Sequence, residues 1–196
     1  INDYHYHGGT VYFSGRLTAS PDGQLPNGIS LFGSNIFTDE DIAVEIPVSG
    51  DGTFAAEVHI PHSLDFYVRT GDYVDGLYFF VGDSVNVTMD LASEKTIVSP
   101  GSVCYWVYNY KDMINDSYNR SLAGKDNIYK IAREGSKEEV ENFCREIAKV
   151  TEQHISDVNA GTFALPEDVD PIAAEILKSD AVMMGFSNLL KVDFTY

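Results

Sequence analysis

Leu77–Leu91 reads LYFFVGDSVNVTMDL, and the reading of this stretch decides the fold. Val85, Val87, Met89 and Leu91 fall at every second position, with Asn86, Thr88 and Asp90 between them. That is the period of a strand with one buried and one wet face. Leu77–Val81 ahead of it is a short apolar run rich in β-formers, and Gly82-Asp83-Ser84 separates the two. The pattern predicts an antiparallel hairpin at the centre of a sheet.

Upstream, the same grammar recurs. Val11, Phe13, Leu17 and Ala19 share one face of a first strand beginning at Thr10. Ile29–Phe37 forms a second strand. Ile42, Val44, Ile46 and Val48 alternate in a third, where Pro47 cannot donate to a ladder and so marks an edge. Ser49-Gly50-Asp51-Gly52 turns into a fourth strand carrying Phe54, Ala56, Val58 and Ile60, and Phe66 and Val68 lie in a fifth. Gly71–Gly76 reads as a turn, like Ser20-Pro21-Asp22-Gly23 and Pro26-Asn27-Gly28. Short strands at this spacing, joined by Gly/Pro/Asp turns, define a β-sandwich.

Downstream of Pro100 the period changes. Val103, Trp106, Val107, Tyr110, Met113 and Ile114 recur as on an amphipathic helix, with Ser102 as its N-cap and Gly124 as its stop. Ser136-Lys137-Glu138-Glu139 is a capping box, and Val140, Phe143, Cys144, Ile147, Ile155 and Val158 line the helix that follows, up to Gly161. Asp170-Pro171 opens a third helix. The expected fold is therefore α+β: an antiparallel β-sandwich of about seven or eight strands, then a C-terminal α-helical subdomain. Residues 1–9 form a loose leader, 10–100 the sandwich and 101–196 the helical part. The helical sequence stays apolar through Leu189, Leu190, Val192 and Phe194, which predicts that this end docks on the helices or on a second protein surface.

The chain has 196 residues and a formal net charge of −17. Such a surface repels phosphate backbones and anionic bilayers, which argues against nucleic acid and anionic membranes as partners. No apolar run reaches the roughly 18 residues of a membrane span. The sequence opens on Ile1 rather than Met and is read as a mature or trimmed piece of something longer.

Candidate chemistry is sparse. His5, His7, His59 and His62 offer imidazoles, but no marker brings the two pairs together, so no metal site and no cofactor is expected. Asp39-Glu40-Asp41 and Glu167-Asp168-Asp170 lack calcium-loop spacing and suit turn and helix-dipole roles. Tyr105 and Tyr108 lie off the apolar stripe of the first helix; exposed, they would form a platform for a carbohydrate or peptide, and otherwise they pack on the sandwich. Cys104 and Cys144 could close a structural disulfide or stand as buried thiols, the second being preferred. No nucleophile elbow, P-loop, dinucleotide fingerprint or HExxH helix occurs.

Four pieces of the chain, in order, carry a family resemblance: Phe13-Ser14-Gly15-Arg16-Leu17, Gly50-Asp51-Gly52-Thr53-Phe54, Val81-Gly82-Asp83-Ser84-Val85-Asn86-Val87, and Val98 through Gly101-Ser102 into a helix. Over roughly residues 10–120 the chain resembles the N-terminal DUF4369 region of thioredoxin-like disulfide reductases of the TlpA/ResA kind from Bacteroidetes. In that family a CxxC-bearing thioredoxin domain follows; this chain has no such motif. The resemblance implies context and no catalytic residue: a non-catalytic accessory module of an exported protein of the periplasm or cell envelope, with a lipid-anchored precursor as one form. Its partner would be a missing C-terminal domain or another protein. The alternative is a carbohydrate- or peptide-binding module using Tyr105 and Tyr108, and a third is a hydrolase with paired carboxylates.

Overall fold

The structure, a computed structural model, describes residues 7–18, 23–122, 134–162 and 165–193. Among the described residues, eight strands and three long helices follow one another: β1 (Gly9–Thr18), β2 (Gly28–Ser34), β3 (Asp41–Pro47), β4 (Thr53–Ile60), β5 (Leu64–Thr70), β6 (Tyr73–Phe79), β7 (Ser84–Asp90), β8 (Lys95–Val98), α1 (Val103–Leu122), α2 (Lys137–Ala160) and α3 (Pro171–Asp193). This is the expected α+β order, with a β-sandwich first. Most of the leader, the Ser20-Pro21-Asp22 turn, Gly124 and the chain end at Phe194 lie outside the described residues. Chain contacts separate two units, one up to Tyr108 and one from Asn109.

One sheet has the order β4-β1-β7-β8 and the other β3-β2-β5-β6. Every pairing is antiparallel except β1 with β7. Inward side chains alternate as the period predicts: Val11, Phe13, Phe54, Val58, Val85, Val87 and Met89 from the first sheet meet Ile29, Leu31, Phe66, Val68, Leu77 and Phe79 from the second in one core. Phe13 crosses the gap, its ring 5.0 Å from Phe54 on its own sheet and 5.1 Å from Phe79 on the other. β3 is an edge strand, as Pro47 requires.

The central hairpin is not formed. β6 and β7 lie in different sheets, and the hairpin joins β5 to β6 instead, through Gly71-Asp72. The segment read as a turn, Gly71–Gly76, is therefore mostly strand. Phe80–Asp83 carries the chain from one sheet to the other. There the Gly82 N–H donates to the Thr10 carbonyl, the Asp83 carbonyl accepts from the Tyr12 N–H, and Gly82 takes a φ of 86°. Asp83 also accepts from the Cys104 N–H at 3.2 Å, so this crossover helps to cap α1, where the Ser102 hydroxyl accepts from Tyr105 N–H as expected of an N-cap.

In the second unit, Ser136 and Glu139 form the reciprocal capping box and Gly161 closes α2 at φ 66°. The Asp170 carboxylate accepts from the Ile172 and Ala173 amides at the start of α3. Val158 on α2 packs against Leu177 and Ala181 on α3. His154, also buried on α2, donates from Nε2 to the Ala181 carbonyl at 2.9 Å.

Candidate functional site: an acidic tyrosine cleft at one end of the sandwich

Strand β6 turns Tyr73, Asp75, Leu77 and Phe79 inward. Three of these suit the interior and half-buried Asp75 does not, because a carboxylate drawn out of water must find partners. It finds two phenols. Tyr73 and Tyr108 each donate to Asp75 Oδ2, at 2.9 and 2.8 Å. The Tyr73 hydroxyl also bonds Thr96 Oγ1 at 2.7 Å, and the Tyr108 hydroxyl lies 3.4 Å from the Thr96 carbonyl. Thr96 is buried on β8, Tyr73 and Asp75 come from β6, and Tyr108 comes from the first turns of α1.

These residues, with Asp72, Glu94 and Lys95, line an open cleft of about 400 Å³. Through Asp72, Tyr73 and Glu94 it adjoins a second hollow of about 570 Å³, walled by Leu25, Pro26, Leu91 and Ala92. Volumes of this order are those of small-molecule and peptide-side-chain sites. Asp72, Asp75 and Glu94 line the first hollow together with Lys95 and the two tyrosines.

The electrostatics hold the phenols as donors. Burial, then the bond to Asp75, pushes Tyr108 above its ordinary range; burial, with the adjoining Asp75 carboxylate, pushes Tyr73 up to about 12. Because Tyr73 keeps its proton more tightly folded than unfolded, it stabilises the fold fully below about pH 10, and that contribution is lost as pH rises through about 12. The denaturation midpoint should fall over this window, and fall less in Tyr73→Phe. An equal fall in both would remove Tyr73 from the linkage.

Among the residues singled out from sequence, Tyr105 and Tyr108 both pack against the sandwich core, half-buried, and Tyr108 alone enters the cleft. Cys104 sits in that core and Cys144 is half-buried on α2, and no disulfide joins them. Burial, reinforced by Asp83, pushes the Cys104 thiol up. His59 on β4 bonds the Thr10 hydroxyl of β1 at 2.9 Å. His62 is buried: its Nδ1–H donates to the Ser63 carbonyl, its Nε2 accepts from the Ile36 amide, and the Phe37 ring meets it edge-on at 5.2 Å. His5 lies outside the described residues. Among the described residues, no group of three or more His, Cys, Asp and Glu is placed to hold a metal ion, and no helix is long and apolar enough to cross a membrane. The Asp39-Glu40-Asp41 cluster is spent on its hairpin, where Ser34 donates to Asp41 and Thr38 to Glu40.

Asp75, Tyr73 and Thr96 escaped the sequence reading. The signal was there: in phase with Leu77 and Phe79, an acid occupies an inward strand position.

A two-sheet sandwich with a cleft tied by a carboxylate and two phenols is the class of protein this geometry defines. No family model matches the chain, and no curated protein matches it. Among solved structures, one described as a "putative cell adhesion protein" from Bacteroides ovatus is similar at a TM-score of 0.29 and 11% identity. That likeness covers 47% of this chain and 43% of the other.

Proposed function

We propose that this chain is a non-catalytic accessory and binding module of an exported cell-envelope protein. The observation that carries the reading is the state of its most reactive groups. The Cys104 thiol is buried and pushed away from thiolate, and the cleft phenols are held protonated by burial and by Asp75. Thiols and phenols poised for nucleophilic or base chemistry are shifted in the opposite direction. What remains is a preformed surface of donors, acceptors and aromatic rings, which suits recognition.

The resemblance of four sequence pieces to DUF4369 regions supports a finer reading, in which the module is the N-terminal part of a thioredoxin-like oxidoreductase. Two of those pieces have physical reasons to recur: Gly52 and Gly82 take φ values of 85° and 86°, which favour glycine.

Two experiments test the two levels. The isolated chain should not reduce insulin above a Cys104→Ser/Cys144→Ser control; catalytic turnover above that control would overturn the non-catalytic reading. The gene should encode a CxxC-bearing thioredoxin domain in frame after Tyr196. An unrelated domain or a stop codon there would overturn the parentage and leave the binding module standing.

A further inference from the structure

The outer face of the β3-β2-β5-β6 sheet carries a row that the cleft does not use. Phe32 on β2 is in register with Ala43 on β3 and with Tyr67 on β5, and Tyr67 is in register with Gly76 on β6. Both aromatics are exposed, Phe32 by 42% and Tyr67 by 67%. Their flanking partners in the row, Ala43 and Gly76, are the smallest residues available and do not wall the two rings in. The row spans three strand spacings, about 15 Å.

The neighbouring rows are mainly polar. On one side Glu45, Ser30 and Arg69 stand in register, with Val74, exposed by 53%, ending the row on β6; on the other are the pairs Ser34–Asp41 and Asp65–Tyr78. Successive outward residues on a strand are about 7 Å apart, so on β3, β2 and β5 the apolar stripe is one side chain deep, and Val74 on β6 adds to it. A specific protein interface needs about 800 Å² per partner around a dry core, which a stripe this narrow between charged rows does not offer. A chain of net charge −17 also disfavours anionic polymers.

We infer that this face binds a neutral glycan, whose sugar rings stack on Phe32 and Tyr67 while their hydroxyl edges meet the polar rows on either side. A pyranose has that same division, apolar C–H faces and a polar rim. The inference rests on the binding-module reading and gives it a ligand class and a place distinct from the cleft. Exposed aromatic rings with open faces are the groups that supply such stacking.

Native affinity electrophoresis through gels holding barley β-glucan, galactomannan, laminarin or xyloglucan tests it. At least one polysaccharide should retard the chain. Phe32→Ala and Tyr67→Ala should each weaken that retardation roughly tenfold, and both variants should fold, since exposed side chains contribute little to stability. Ile97→Ala, an exposed residue of the other sheet, should bind as wild type. The inference is overturned if no polysaccharide retards the chain, or if retardation survives in both aromatic variants. Loss in Tyr108→Phe with binding kept in Tyr67→Ala overturns it too, and moves the glycan to the cleft. Self-association in sedimentation velocity that Tyr67→Ala abolishes would give the face to a second copy, overturning it likewise. Release of reducing ends from a polysaccharide that Tyr67 still retains would instead overturn the non-catalytic reading while leaving the platform in place.

Discussion

Gly15→Ala should destabilise the sandwich by about 3 kcal/mol or more, the upper part of the range for overpacked sites. Gly15 lies mid-strand in β1, between Val87 of β7 and Phe54 of β4. A Cβ there would overlap the Val87 carbonyl oxygen and come within 3.0 Å of the Phe54 ring. The obstacle is backbone, which cannot swing aside, so relief requires opening the one parallel ladder in the fold. Urea denaturation of Gly15→Ala beside Gly50→Ala measures this. Gly50 has open space around its would-be Cβ and no positive φ, so its substitution should be near neutral. Equal midpoints for the two variants would remove close approach as the reason for glycine in Phe13-Ser14-Gly15.

Phe13→Ala should cost about 3–5 kcal/mol, as for buried aromatics in general. Phe13 is fully buried and touches Phe54 and Phe79, one on each sheet. Its removal leaves a cavity between two sheets whose backbones are fixed by their own ladders, so collapse can refill it only in part. A denaturation midpoint within error of wild type would show that the two sheets do not share this core.

Much of the fold was legible because strand period, turn residues and caps are local signals. Phe54–Ile60, Val85–Met89, the Ser136–Glu139 capping box and Asp170-Pro171 each carry their structure within a few residues. Partner choice is not local. Leu77–Val81 and Val85–Leu91 look like the arms of a hairpin, yet each strand joins a different sheet, with β7 lying parallel to β1 some seventy residues away. Lys95–Val98 is short, and only its pairing with β7 makes it a strand. The cleft was hidden for a related reason: Asp75 breaks the apolar alternation of β6, so the segment read as a turn, and Tyr108 reaches it from a helix thirty-three residues on. The Phe32–Tyr67 row likewise exists only through registers between β3, β2, β5 and β6.

The claim that this chain recognises and does not react is tested most directly at Cys104. Native-state alkylation by iodoacetamide, followed by mass spectrometry across a pH series, reads both its burial and its thiolate fraction. Cys104 should stay unlabelled from neutral pH to mildly alkaline pH and react only once urea unfolds the sandwich, with Cys144 labelled first. Rapid native labelling of Cys104 with an inflection near neutral pH would reveal an accessible, activated thiolate and contradict both the core and the non-catalytic function built on it.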